Sequence, residues 1–366
     1  MNLTKIWFYI ALTCLVVFAG QKPYYNWDCL PYMASILVFD QDLNNADLHT
    51  AVYDNLQENV PKETFEVLTQ TEGYFENMYQ NADAFHQQLP FYYIKPCYIG
   101  LSWISYKLGS NLIFATVLPS LLALWGIGFI LFSWLSSMFS LKKAAIISVL
   151  LLLTVPLAKL GRLSTPDSLS CFFLLLGVYW FYAKKCWLWV ALALALAILS
   201  RPDNVIFVGL FLVALVWKKY WSYQDIIFTC LLGLFAYAIP KLLLPSYSWQ
   251  TLFIHSFVDQ LNYPQTELVN LKVTQYVSIV VRNSFRELSI SLIPLLLIFS
   301  ISIWGARSKQ DITTKLLLFT IISAVIVRYL LFPVLWGRFM APYYLIALIL
   351  ILKQTKHLYQ PVNETS

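Results

Sequence analysis

The sequence predicts an all-α protein that crosses a membrane about ten times, and three observations carry that prediction. The chain of 366 residues is 59% hydrophobic and only 12% charged, with a mean hydropathy of +0.64. So few charges cannot cover a water-facing surface, whereas a membrane span needs about 20 mostly apolar residues, and the chain holds several such runs. Second, the runs are long and rich in Leu, Ile and Phe rather than alternating over ~10 residues, which favours helices over barrel strands. Third, basic residues recur at the run boundaries: Lys5, Lys142/Lys143, Lys184/Lys185, Lys218/Lys219, Arg307/Lys309 and Lys353/Lys356. Cytoplasmic loops retain Lys and Arg, so these stations assign both termini to the inner side.

With that orientation, spans are expected at 6–20, 112–138, 144–160, 167–183, 187–199, 204–217, 226–244, 288–305, 315–332 and 338–352. The first run has the length of a signal peptide's apolar region. It is followed by Gln21, Lys22 and Pro23 rather than a small-x-small cleavage site, so it is expected to stay as a span. The whole chain, 1–366, reads as one membrane domain with two large outer segments, 21–111 and 245–287. The first holds eleven of the nineteen acidic residues, from Asp28 to Asp83. Within it a helix is expected over 48–60 with Asp47 as a possible cap, and Pro61 opens a second that reaches about Thr71. Its aromatic end, 91–108, suggests helices lying in the interface. The second outer segment carries His255, Asp259, Glu267, Lys272, Arg282 and Arg286.

This topology places the residues suited to chemistry on the outer side. Asp28 follows the first span within an aromatic stretch, 24–32. A carboxylate there is partly desolvated yet reachable from water, which suits a general base if burial raises its pKa; the plainer alternative is a helix cap in an aromatic belt. A repeated S-x-P-D pattern, Ser164–Asp167 and Ser200–Asp203, opens the fourth and sixth spans. Ser and Asp in these places can form capping boxes, while Arg162 and Arg201 beside the helix N-termini can hold a phosphate. Arg328 lies inside the ninth run and Arg338 at the outer start of the tenth. A guanidinium within a span is costly unless it faces a polar cavity or snorkels. The pair could therefore hold an anionic lipid head group, or Arg328 snorkels outward while Arg338 anchors its helix. His255 and Asp259 are spaced to share a helix face, though such a pair is more often two ordinary loop residues; His255 is taken, with Asp167 and Asp203, as a supporting group.

Other signals are weak. Cys29 and Cys97 bracket the first outer segment and could pair, but no Cys/His cluster suggests zinc. Asp40-Gln41-Asp42 matches a DxD pattern on a chain with no α/β domain to carry it. No basic tract interleaved with aromatics points to nucleic acid. The residues present require neither a metal nor a cofactor.

Taken in order, these segments resemble the GT-C superfamily of integral-membrane glycosyltransferases, in particular its protein O-mannosyltransferases and lipid A aminoarabinose transferases. Gly161–Leu169 (GRLSTPDSL) is similar to that branch's hairpin between the third and fourth spans. Ala193–Asp203 (ALALAILSRPD) looks like its approach to the sixth span, and Gly337–Tyr343 (GRFMAPY) like its Arg-Tyr-Leu-Leu-Pro signature. Asp28 matches the family's catalytic carboxylate in position; the family commonly has an acidic pair there, and this chain has Asp28-Cys29. The resemblance implies a GT-C-like helical architecture and transfer of a sugar from a polyprenyl-phosphate carrier to a glycan, lipid or protein acceptor at the outer face. Asp28 would then be the base, with Arg338, Arg201, Arg328 and Arg162 holding the lipid phosphate. The expected setting is a bacterial cytoplasmic membrane. Three rivals remain: a polysaccharide polymerase or ligase, a lipid-linked-sugar flippase or transporter, and a non-catalytic subunit of an envelope-polysaccharide complex.

Overall fold

The structure, a computed structural model, describes residues 2–71, 73–267, 270–290 and 312–355. Among them lie eighteen α-helices and no β-strand, as the apolar periodicity requires. The first span is α1 (Leu3–Gln21), whose N-terminus Asn2 caps by accepting from the Thr4 N–H at 2.9 Å. The long connection after it folds into α2 (Cys29–Asp40), α3 (Asn45–Asn59), α4 (Lys62–Thr69), α5 (Tyr74–Gln80) and α6 (Ala82–His86). A 3₁₀ turn at Leu89–Phe91 then leads to α7 (Pro96–Lys107). The bundle continues with α8 (Leu112–Ser136), α9 (Leu141–Leu152), α10 (Val155–Leu160), α11 (Asp167–Tyr182), α12 (Trp187–Ser200), α13 (Asn204–Trp217) and α14 (Tyr223–Leu243). It closes with α15 (Trp249–Phe257), α16 (Val273–Ile290), α17 (Ile312–Leu331) and α18 (Gly337–Thr355).

Four of these, α1, α8, α14 and α17, are long and apolar enough to cross a membrane, and the chain is an integral multi-pass protein. The expected third span is broken into α9 and α10, because Pro156 disfavours helical backbone just before it. Most of the expected eighth span, the station at Arg307/Lys309 and the C-terminus from Lys356 lie outside the described residues. At 1.5 Å per residue α13 reaches only about 21 Å, short of a hydrocarbon core of about 30 Å. The polar loop before it therefore sits at membrane depth, or the bilayer thins around it.

α8 is the central post, with α1, α9 and α11 against it. Gly126 faces the Phe172 ring and Gly128 faces Leu12 so closely that neither position has room for a Cβ, which lets α11 and α1 approach. Two hydroxyls lock the start of α11 to α8. Ser168 donates to the Ser120 carbonyl and Ser120 to the Thr165 carbonyl, each at 3.0 Å. α11 also packs on α12 and α18, and α13 on α14 and α17.

The first long connection has an apolar cluster of its own, built from Leu30, Met33, Leu48, Leu56, Met78 and Phe85. α2 is absent from the sequence-based expectation, yet every residue from Cys29 to Leu37 is buried. Its continuous apolar run lacks the one-sided pattern of a surface helix, which hides it among span-like segments. α3 is capped by Asn44, not Asp47: the Asn44 side chain accepts from the Asp47 N–H at 2.9 Å. Asp47 sits in the first turn instead, where its charge complements the helix dipole. Pro61 stands just before α4, as expected. α7 packs on α2, α8 and α12 rather than lying free in the interface. Cys29 and Cys97 are both free thiols.

Candidate functional site

Three chain ends meet where α11 and α13 begin and α12 stops, away from Lys184/Lys185 at the opposite end of α11 and α12. Arg201 ends α12, Asp203 stands before α13, and Asp167 is the first residue of α11. Arg201 grips Asp203 with both Nε and Nη2 at 3.0 Å, a bidentate pair that planar guanidinium and carboxylate geometry favours. Its Nη1 donates to Asp167. Arg328, near the end of α17, donates from Nε to Asp203 at 2.8 Å. Arg338, in the first turn of α18, lies 3.6 Å from Asp167 and donates from Nη1 to Asp28 at 3.2 Å. The charges thus alternate without a gap: Asp28, Arg338, Asp167, Arg201, Asp203, Arg328.

One aromatic ring ties the cations together. Phe339 presents its ring to all three guanidiniums, with Cζ atoms 4.2 Å (Arg201), 4.7 Å (Arg328) and 4.9 Å (Arg338) from its centroid. Trp336 adds a second ring 4.9 Å from Arg338. Such contacts stabilise cations by about 0.5–2 kcal/mol each as water is excluded. Arg328, Arg338, Asp167, Asp203 and Tyr343 line a cavity of about 10 Å³, room for about one water. Arg328 is 4% exposed, and its Nη1 is buried with no hydrogen-bond partner among the described residues. A far larger open hollow, about 740 Å³, lies between 44–46 and 80–83 and contains none of these residues. Its amides serve elsewhere: Asn44 and Asn81 cap helices, and Asn81 also donates to the Tyr263 hydroxyl.

Asp28 sits at the start of α2 and accepts from Asn26 at 2.5 Å and from the Tyr92 hydroxyl at 3.0 Å as well as from Arg338. Burial pushes its carboxyl up, but Arg338, Lys95 and the two hydrogen bonds together hold it below the ordinary value. This corrects the expectation that burial alone sets its proton affinity: the cation beside it wins. Lys95 is the group that the sequence reading left out of the site. Its ammonium donates to the Tyr32 hydroxyl at 2.9 Å and the Phe91 carbonyl at 3.3 Å, and lies 4.8 Å from the Tyr92 ring centre. No carboxylate forms an ion pair with it among the described residues. Burial drives its pKa down, with Asp28 opposing, to about 8. Three carboxylates stand against three guanidiniums, so a protonated Lys95 gives the cluster four positive charges against three negative ones, a surplus of one positive charge. The local clue was a lone Lys before Pro96 in an otherwise apolar and aromatic stretch.

Other expectations change. Neither S-x-P-D serine caps its helix: Ser200 donates back to the Leu196 carbonyl at 2.8 Å, and the Ser164 hydroxyl is buried without a hydrogen-bond partner among the described residues. Both aspartates face arginines instead. Arg328 does not snorkel away, because Asp203 and the Phe339 ring hold it inside. Arg162 is not in the cluster. Its guanidinium donates to the Lys22 carbonyl and its own carbonyl accepts from Tyr24 at 2.8 Å, stitching the end of α1 to the loop before α11. His255 is also elsewhere: it stacks on Phe91 at 4.8 Å, and its Nδ1 accepts from the Leu261 N–H at 3.1 Å. Burial lowers its pKa to about 4, so it is a neutral packing residue; α15 ends before Asp259, which removes the expected shared face. Asp40 of the DxD pattern is taken up by Lys107 at 2.5 Å and the Trp103 ring nitrogen at 3.1 Å.

Residues 96–244, from α7 to the end of α14, match the family model of dolichyl-phosphate-mannose-protein mannosyltransferases, a GT-C family. The match spans 149 of the 366 residues, and over that segment the chain is similar to membrane glycosyltransferases of the GT-C type. No curated protein and no solved structure matches it. The matched segment holds Asp167, Arg201 and Asp203, whereas Asp28, Lys95, Arg328 and Arg338 fall outside it. Tertiary structure alone joins the two halves of the cluster.

Proposed function

We propose that this protein is a glycosyltransferase that moves a sugar from a polyprenyl-phosphate carrier to an acceptor hydroxyl, with inversion, at the outer face of a bacterial cytoplasmic membrane. The observation that carries the reading is the contact between Asp28 and Arg338, a candidate base touching a candidate phosphate anchor across 310 residues. A lipid-linked donor suits the site, because its tail can lie in the bilayer while its phosphate meets the guanidiniums and Lys95. The basic stations, all on the far side of the sequence-derived topology, support the outer face.

The chemistry is one displacement. The acceptor oxygen attacks the anomeric carbon, the bond from that carbon to the phosphate oxygen breaks, and its electron pair leaves with the phosphate. Asp28 accepts the hydroxyl proton. The arginines stabilise the charge developing on the phosphate, usually the largest catalytic contribution. In the structure Arg338 is bound to Asp28, and the cavity beside it is too small for a phosphate. Arrival of the donor would draw Arg338 from Asp28 to the phosphate. That same move frees the carboxylate and raises its proton affinity when it is needed.

The test is to supply the purified, reconstituted protein with a panel of radiolabelled polyprenyl-phosphate sugars. Transfer by the wild type and its loss in Asp28→Asn, with the variant still folded and inserted, is the expected result. Full activity of Asp28→Asn removes the mechanism. Movement of the labelled lipid between leaflets without transfer would favour a flippase, and extension of a lipid-linked glycan a polymerase.

A further inference from the structure

The second long connection contains a helix whose surface divides into three. On α16, Tyr276, Asn283 and Ser284 bind the end of α17: Tyr276 donates to the Leu330 carbonyl at 2.6 Å and Asn283 to the Pro333 carbonyl at 3.1 Å. The Ser284 hydroxyl meets that of Tyr329 at 2.9 Å, completing the protein-facing side. Val273, Val277, Val281 and Phe285 recur every fourth residue, about 40° apart around the axis, so they form one stripe beside that face. All four are exposed, Val273 to 77% and Phe285 to 70%. Further round, Ser278, Arg282 and Arg286 make an exposed polar side. The one acid of the helix, Glu287, is buried beside Arg286 at 3.5 Å.

A soluble surface does not display such a stripe, and a spanning helix does not carry a polar side. The surroundings fix the depth. Trp249 and Trp336, both exposed, stand at the same end of the bundle, and the Trp249 ring nitrogen donates to the Leu331 carbonyl at the last residue of the span α17. Exposed tryptophans gather at the boundary between hydrocarbon and head groups. Lys272 and Arg282 bring positive charge to that level, and Arg286 stands beside them in its pair with Glu287.

We propose that α16 is a docking surface for the bilayer itself. It lies along the membrane boundary with the Val273–Phe285 stripe among the acyl chains and Lys272, Arg282 and Arg286 on the phosphates of anionic lipids. The helix thereby holds the second long connection down on the membrane, beside the α17 end that carries Arg328. This surface does not depend on the proposed reaction, and its test needs no turnover.

The full-length protein is reconstituted in vesicles containing a phosphatidylglycerol with a photoactivatable acyl chain, and adducts are mapped by mass spectrometry. Adducts are expected on Val273, Val277, Val281 and Phe285 and not on Gln275 or Arg282. Replacing the probe lipid by its phosphatidylcholine counterpart should lower labelling of α16, and Arg282→Gln or Arg286→Gln should each remove about fivefold of that preference. Labelling confined to the spans, or spread evenly round α16, would overturn the placement; equal labelling by both lipids would overturn the phosphate contact. Benzoylphenylalanine in place of Val281, cross-linked in native membranes, should yield lipid adducts. A protein-sized adduct would give the stripe to a partner chain and sink the proposal.

Discussion

Arg338→Met is the most informative single change, because this side chain touches both the candidate base and a second carboxylate. In the structure it lies 3.2 Å from Asp28 and 3.6 Å from Asp167. Methionine keeps much of the apolar bulk against Phe339 but removes the charge. Two consequences follow, and they are separable. The developing phosphate charge loses one guanidinium, and deleting one such preorganised donor lowers kcat by about 10²–10³, roughly 3–4 kcal/mol of barrier. Asp28 also loses the first of the groups that hold its carboxyl down. The sign is fixed by that shift: the ionised base is active, and activity fails as pH falls through its pKa. Removing Arg338 raises the pKa, so the acid limb of kcat/KM, which reports the free enzyme, must move to higher pH. The assay is initial-rate transfer of labelled sugar at saturating and limiting donor from pH 4 to 8, alongside thermal unfolding to verify the fold. A variant with its rate within about threefold of wild type and an unmoved acid limb refutes the reasoning. A slower variant with an unmoved limb would separate Arg338 from Asp28 and leave it only a phosphate anchor.

Three further outcomes test the rest of the cluster. Because burial lowers the Lys95 ammonium to about 8, activity should fall as pH rises through that value; Lys95→Arg should extend the plateau and Lys95→Met should lower activity at every pH, as read from donor saturation curves. Arg328→Met leaves Asp203 still held by Arg201, so the loss should fall short of the about 3–5 kcal/mol of an uncompensated buried charge, and thermal unfolding in detergent should drop only modestly; a drop as large as that of Arg201→Met would refute the shared pairing. Arg162→Ala should leave transfer within about threefold of wild type, since its guanidinium serves the Lys22 carbonyl; a hundredfold loss would return it to the site.

The helical class, the helices at most of the expected span positions and the interest of Asp28, Arg201 and Arg338 were legible in the residues themselves. Apolar runs announce spans by composition, because lipid demands the same side chains wherever the run later packs. Arg328 was visible for the same reason, as a charge out of place in such a run. What the residues did not disclose was partnership. The S-x-P-D turns read locally as capping boxes, and only the meeting of α11, α12, α17 and α18 turns their aspartates toward Arg201, Arg328 and Arg338. Arg162 looked equivalent to Arg201, yet its place beside the end of α1 gives it a backbone carbonyl instead of a carboxylate. Lys95 gave little sign, since its role as the cation without a paired acid depends on the Tyr32 and Tyr92 rings that surround it.

Sequence alone thus determined which stretches enter the membrane and which side chains are too costly to be there idly, since both are costs of transfer that each residue carries wherever it lies. Helix packing decided which of those charges touch, because Coulomb attraction and hydrogen bonding act over a few ångströms, and no local pattern encodes the approach of residues 28 and 338.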